Sequence, residues 1–376
     1  MNIARLNVRN FRNHRSSALE FGSGMNVLLG RNGQGKTNIL EATSFLSLTK
    51  SFFAASDATA MRIGEEFFDV CGTIVSDSGV AHDVRAAYDG ATGQKQFTIN
   101  GVRPENLSSV IGRFPVVILS PENNAITFGA PSERRKFIDL ILAQLSRSYL
   151  EDLLEYRRVL RQRNRILLDG KIRGRFNSSV LEPWTINLVN HASRILQRRI
   201  LFVGEFQEFV ANAYRELVVA DEEPRLRYES LPEFTGGSSL AEIAERLQRE
   251  LNTRSEEEER RGATLVGPHR DDLSLLINGI SVQRYASQGQ HKTLLVALKI
   301  AEFRFLKNRR NEAPILLLDD LFSELDQERS HRIVQLLGDL GQTIVTTTDE
   351  GVFGGSVAWT GQNKRFYIEE GTCREE

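Results

Sequence analysis

An α/β fold is predicted for this 376-residue chain, with strand-and-helix segments at both ends and a helical insert between them. Three observations predict it. A glycine-rich loop separates an apolar strand from a helix within residues 25–48. A second apolar run, Ile315–Leu318, ends in paired acids, Asp319 and Asp320. Between these, from 121 to 262, apolar residues recur at helical spacing.

The N-terminal part reads as strand-rich. Ile3–Val8, Met25–Leu29, Phe67–Ile74, Ala81–Tyr88 and Lys95–Ile99 are strand candidates, and Val116–Leu119 is a buried one. Asn100-Gly101 between apolar runs signals a hairpin. The insert then offers helices at Arg134–Leu145 and Tyr149–Leu168. Pro183 is expected in the first turn of the next helix, which runs through Phe209, and Leu240–Leu251 forms a shorter one. The acidic run Glu256–Glu259 reads as an exposed hinge or helix end. From 263 onward β/α character returns: Leu273–Ile277 before a second hairpin signal at Asn278-Gly279, a helix at 290–307, the strand Ile315–Leu318, a helix at 328–340 and a strand Thr343–Thr346. The expected domains are therefore 1–120 and 263–376, forming one head, and 121–262, an inserted arm.

The chemistry is concentrated at three places. The first is MNVLLGRNGQGKTNIL, residues 25–40, where Gly30 is followed after four residues by Gly35, Lys36 and Thr37. Gly30, Gly33 and Gly35 let the backbone turn its amides toward phosphate oxygens. Lys36 would reach the β- and γ-phosphates, and Thr37 would hold Mg²⁺ through its hydroxyl. Arg31, Asn32, Gln34 and Asn38 complete the stretch expected to touch a nucleotide. The second place is PILLLDDLFSELD, residues 314–326. Asp319 ends a strand buried on both faces, where ligands bind in open parallel sheets, and would coordinate the Mg²⁺. Asp320 is the candidate catalytic residue, orienting or deprotonating the attacking water. The third place is YASQGQHKTL, residues 285–294, where Ser287 and Gly289 open a helix whose free amides suit an anion. Arg12, in FRNH, is expected either to reach the nucleotide or to pair with a local acid. His14 has no second ligand at metal spacing and reads as structural.

Loop, Ser-x-Gly-Gln helix start, acid-terminated strand and Ser323-Glu324-Leu325-Asp326 occur in the order found in ABC-type ATPases. The chain resembles the DNA-repair group of these, SMC, Rad50 and RecF, and is most similar to the RecF family over nearly its whole length. NVRNFRNHRS (7–16), LGRNGQGKTNILEA (29–42), GAPSERRKFIDLIL (129–142), YLEDLLEYRRVLRQRN (149–164), YASQGQHKT (285–293) and LLLDDLFSELD (316–326) carry the resemblance. It implies an ABC-type ATPase head, a P-loop NTPase with an attached β-rich lobe, and an inserted α-helical arm. It implies ATP and Mg²⁺ as cofactors and an ATP-dependent homodimer. In that homodimer Ser287, Gly289 and Gln290 close over nucleotide held by the other copy, and Asp326 belongs to the nucleotide site. It further implies a clamp on double-stranded or gapped DNA, slow hydrolysis, and work with the RecO and RecR mediator proteins to load RecA recombinase.

This chain departs from the wider ABC pattern at several positions. Asp320 stands where transporters carry Glu, Thr348 where a switch His is usual, and Glu122 where a Q-loop Gln is expected. Phe53 stands where many relatives carry Arg. The ATPase subunit of an ABC transporter is the alternative function. Against it stand YASQGQ in place of LSGGQ, the missing His and the long arm. A P-loop small-molecule kinase would not need the Ser-x-Gly-Gln segment.

Composition narrows the classes further. The net charge of −1 exerts no overall pull on nucleic acid, but residues 131–175 hold twelve Lys/Arg against six Asp/Glu. That surplus is either a solvated helix face or a contact for a DNA backbone. Cys71 and Cys373 follow no metal or redox spacing. No apolar run approaches the ~18 residues that span a bilayer. The expectation is a cytoplasmic protein with no membrane partner.

Overall fold

The structure is a computed structural model and describes residues 1–52, 56–218, 221–234, 236–324, 327–353 and 357–376. Phe53 and Asp326 lie outside the described residues. The chain divides into two compact units. One comprises Met1–Asn124, Ala213–Val219 and Leu295–Glu376, and the other Ala125–Asn212 and Ala220–Leu294.

In chain order, the first unit begins with β1 (Asn2–Phe11), β2 (His14–Glu20), β3 (Met25–Leu29), α1 (Lys36–Leu48), β4 (Phe67–Val75), β5 (Ala81–Asp89), β6 (Gln94–Ile99) and β7 (Val116–Leu119). Then come α2 (Ala125–Phe128), α3 (Pro131–Leu145), α4 (Arg147–Arg173), α5 (Ser178–Leu217), β8 (Pro224–Glu229), α6 (Leu240–Thr253) and α7 (Ser255–Arg261). These are followed by β9 (Asp272–Ile277), β10 (Ile280–Ser281), α8 (Val282–Tyr285) and α9 (Gln288–Arg310). The chain ends with β11 (Ile315–Leu318), α10 (Gln327–Gly338), β12 (Thr343–Thr347), β13 (Lys364–Glu369) and β14 (Thr372–Glu375).

The first unit holds two sheets. One is antiparallel, in the order β2-β1-β4-β5-β6. Its strands alternate buried and exposed residues, because one face packs inward and the other meets water. The other has the order β14-β13-β3-β12-β11-β7 and is parallel from β13 to β7. Every residue of β3, β7, β11 and β12 is buried, as expected of parallel strands covered on both faces. This register brings Leu29, Thr347, Leu318 and Leu119 to one end of the sheet. The β3–α1 loop and Asp319 leave from that end.

The second unit is mostly helical and also contains the sheet β10-β9-β8. It takes in residues 263–294, beyond the boundary expected at 262, because β9 pairs along its length with β8. Asn278 and Gly279, at φ 50° and 78°, form the expected tight turn between β9 and β10. Asn100 and Gly101, at φ 51° and 76°, form the corresponding turn after β6.

Several expectations are corrected. Pro183 lies inside α5, which starts at Ser178. The proline thus sits past the first turn, where its missing N–H removes one bond to Ser179 near the helix start. The helix continues through Leu217, because Val210, Ala213, Tyr214 and Leu217 keep its inner face buried. The acidic run 256–259 does form a helix end, the first turn of α7, but Glu258 within it is 1% exposed rather than solvated. Strands β2, β8, β13 and β14 have no counterpart in the sequence reading. Among the described residues, no helix is long and apolar enough to cross a membrane.

Glu258 is buried because Arg163 meets it there. Arg163 Nη2 donates to Glu258 Oε2 at 2.6 Å, Nη1 to Thr264 Oγ1 at 2.8 Å and Nε to Thr185 Oγ1 at 3.0 Å. The Leu265 amide donates to the other carboxylate oxygen at 2.7 Å. A buried ion pair with every donor and acceptor satisfied tolerates its desolvation cost; half of one does not. Arg163→Met is therefore expected to destabilise the helical unit by about 3–5 kcal/mol. Chemical denaturation followed by circular dichroism would measure this. An unchanged midpoint would show that Glu258 finds another partner.

Candidate nucleotide-binding site

In the first unit, the loop between β3 and α1 is built around its glycines. Gly30 has φ 151°, and a Cβ there would lie 2.3 Å from the Ile368 carbonyl on β13. Gly35 caps α1 at φ 111°, and a Cβ there would lie 2.5 Å from Asn13 Oδ1 and 2.7 Å from His14 Nε2. Neither position has room for a side chain.

The loop is braced from two turns. From the β1–β2 turn, Asn13 Nδ2 donates to the Gln34 carbonyl at 2.9 Å, while Asn13 Oδ1 accepts from Asn38 Nδ2 at 2.7 Å. His14, fully buried, places Nε2 3.0 Å from the Gly35 carbonyl and Nδ1 2.8 Å from Ser17 Oγ. Burial lowers its pKa, and its two ring contacts tie the first hairpin to the loop. From the β13–β14 turn, the Glu370 amide donates to Gln34 Oε1 at 2.7 Å and the Gly371 amide to the Gln34 carbonyl at 3.1 Å. Arg31, Asn32 and Gly33, at the tip, are exposed.

Lys36 folds its ammonium back over this loop, donating to the carbonyls of Gly30 at 2.6 Å and Arg31 at 2.8 Å. Burial lowers its pKa, and the charges of Asp320 and Asp319 pull it back up.

Thr37 Oγ1 donates to Asp319 Oδ1 at 2.8 Å, joining the start of α1 to the end of β11. Thr346 Oγ1, on β12, donates to the same oxygen at 2.7 Å and accepts from the Asp320 amide at 2.9 Å. Burial raises the Asp319 pKa, and these two hydroxyls oppose the rise. Asp320 turns out of the strand at φ 49° and is exposed. Partial burial and the charges of Glu41 and Asp319 raise the Glu122 pKa. Thr348, at the switch position, is exposed just beyond β12.

The donor set suits a hard cation. Thr37 and Asp319 supply a hydroxyl and a carboxylate at one point. Among the described residues there is no cluster of three or more His, Cys, Asp or Glu able to hold a metal alone. Mg²⁺ is typically held this way, by one or two protein oxygens together with substrate phosphates and water.

Arg12 makes a two-pronged ion pair with Glu41, from Nε at 2.8 Å and Nη2 at 2.7 Å, and Nη1 donates to the Thr59 carbonyl at 2.7 Å. Of the two roles open to it in the sequence, this is the pairing with a local acid. Glu41 is 1% exposed and also accepts from Ser51.

In the second unit, Ser287 and Gln290 cap α9 reciprocally. The Gln290 amide donates to Ser287 Oγ at 3.2 Å, and the Ser287 amide to Gln290 Oε1 at 2.9 Å. Gln290 Nε2 donates to Glu222 at 2.9 Å. Ser287 and Gln288 are exposed, and Gly289 lies in the first turn.

Thr346, Asn13, Glu41 and the 370–371 turn were missed in the sequence. Thr346 carried the one available signal: a hydroxyl in a strand otherwise suited to burial needs a partner.

Residues 1–101 match a family described as an AAA ATPase domain. The DNA replication and repair protein RecF of Chloroherpeton thalassium is 42% identical over 94% of this chain and 96% of its own length. The RecF protein of Lysinibacillus sphaericus is 34% identical over the whole of both chains. Among solved structures, the recombination mediator protein RecF-ATPrS of the RecFOR pathway superposes with a TM-score of 0.89 at 30% identity, covering 100% of this chain and 98% of its own. An Smc head bound to a winged-helix domain of ScpA shares the fold, with a TM-score of 0.58 at 14% identity over 100% of this chain and 97% of its own. On full-length identity of this order, the chain belongs to the RecF family of DNA replication and repair proteins.

Proposed function

We propose that this chain is an ATP-dependent DNA-binding protein of recombinational repair, acting in the cytoplasm, in which ATP pairs two copies into a clamp on duplex or gapped DNA. The observation that carries this is the joining of Thr37 to Asp319 beside the Lys36 ammonium, in a chain that also exposes a serine-capped helix start.

The roles follow from the chemistry of each group. Backbone amides from Gly30 through Thr37, with the Asn38 side chain at the loop's base, cradle the triphosphate. Lys36 exchanges two loop carbonyls for the β- and γ-phosphates, trading neutral acceptors for charged ones. Thr37 and Asp319 would hold Mg²⁺, which would supply positive charge to offset that of the phosphate oxygens. Asp320, exposed beside this corner, orients the attacking water. Its short carboxylate and the absence of a switch His make hydrolysis slow. Ser287 and Gly289 of a second copy meet the γ-phosphate at the open end of α9, with Gln290 and Asp326 completing the shared site. Nucleotide then stabilises the paired state by its differential affinity, and hydrolysis releases it. A clamp of this kind grips the phosphate backbone without reading bases. RecO and RecR are the partners by family, and the outcome is RecA loaded onto gaps.

Lys36→Arg keeps the charge but replaces a compact ammonium with a planar fork. It is expected to weaken ATP binding by about tenfold or more, roughly 1.4 kcal/mol, as read by calorimetry. Normal ATP turnover by this variant would remove the loop from the mechanism. Ser287→Arg should leave ATP binding intact and abolish ATP-dependent dimers in sedimentation; dimers that persist would count against a site shared between copies. Asp320→Asn should bind ATP, dimerise and stall. DNA binding by the ATP-bound wild type should fall steeply across a salt series, because it rests on phosphate contacts.

A further inference from the structure

Helix α4 has two regular faces. Tyr149, Leu153, Tyr156, Arg163 and Leu167 are buried within the helical unit. On another side Leu154, Arg158, Arg161, Arg165, Leu168 and Ile172 are exposed. The spacing along this second row alternates between four and three residues. On a helix of 3.6 residues per turn, such a row forms one stripe, about 80° wide and about 27 Å long. A helix patterned on both faces is made for two sets of neighbours, and alternation of four and three is the period of a seam between helices.

The stripe has a definite chemistry. Its ends are apolar: Leu154, Leu168 and Ile172 are 43%, 47% and 73% exposed. Its middle is cationic. Much of the basic surplus at 131–175 is answered by acids, including Asp272 for Arg134, Glu151 for Arg147, Asp139 for Arg157 and Glu258 for Arg163. On the stripe, Arg161 and Arg165 are among those that are not. Arg158 is bridged to Glu155 on its own helix, and among the described residues neither Arg161 nor Arg165 has an acidic partner.

We propose that this stripe is a docking seam for an acidic amphipathic helix of a partner protein. Its carboxylates lie against Arg158, Arg161 and Arg165, and its apolar residues against Leu154, Leu168 and Ile172. Charge complementarity selects this occupant. A second copy of α4 laid antiparallel would set Arg158 against Arg165, like charge facing like. A DNA duplex would satisfy the arginines but press three apolar side chains against a charged backbone that offers them nothing to bury. A helix with acids at its centre and leucines at its ends satisfies both halves.

The test uses the full chain and three labelled probes in fluorescence anisotropy. One is a three-heptad peptide with Glu facing the arginines and Leu facing the apolar positions. The second is the same peptide with Lys for Glu, and the third is a DNA duplex. The Glu peptide is expected to bind and the Lys peptide not to bind. The double variant Arg161→Glu, Arg165→Glu should weaken the Glu peptide by about tenfold or more. Leu168→Asn with Ile172→Asn should weaken the Glu peptide but leave duplex affinity unchanged. All four positions are exposed, and unchanged melting curves would confirm that each variant folds. Equal binding of the two peptides, or affinities that ignore these substitutions, would overturn the proposal. So would loss of duplex binding in the arginine variant without any binding of the Glu peptide, which would make the stripe a DNA surface.

Discussion

One hydrogen bond, from the hydroxyl of Thr37 to the carboxylate of Asp319, connects positions 282 residues apart in sequence. It ties the first turn of α1 to the end of β11 and draws Lys36 and Asp320 into the same corner. The parallel sheet makes it possible. β3 and β11 both pair with β12, so the glycine loop and the acid emerge at the same end of the sheet, on either side of β12. Thr346, on the strand between them, then holds the carboxylate in place from below. Three strands and two hydroxyls thereby fix an acid whose burial alone would drive it toward its neutral form.

The loop above this corner cannot shape itself. Its glycines supply freedom, and freedom must be removed for amides to converge on a ligand. Asn13 and His14 on one side, and Glu370 and Gly371 on the other, remove it by bonding to Gln34 and Gly35. These braces come from the chain's first hairpin and its last, so the loop depends on residues at both ends of the sequence. Arg12 belongs to the same hairpin, and its pairing with Glu41 anchors that hairpin to α1.

The helical unit follows a different electrostatic logic. Its basic residues look like a surplus when counted along 131–175, yet two of them are matched by acids contributed from elsewhere and four by acids of the stretch itself. Asp272 reaches Arg134, and Glu258 reaches Arg163. Asp139 takes Arg199 as well as Arg157. A local count of charge therefore overstates what is offered to a partner, because half of the basic residues in this stretch already meet an acid.

The sequence by itself determined the fold class, the glycine-rich loop, the serine-capped helix start, the acid pair and the family. Each of these is written in contiguous residues with a local physical meaning: glycines that allow a turn, an apolar run that must be buried, a serine that caps a helix. Both Asn-Gly hairpins were legible for the same reason. Only the tertiary structure decided which groups those segments would meet. That Thr346 stands under Asp319, that Glu41 claims Arg12, that an apparently solvated Glu258 is buried, and that 263–294 fold with the helices all depend on contacts between residues far apart in the chain. Hydrogen bonds and ion pairs are short-ranged in space and indifferent to sequence distance, so no local pattern could announce them.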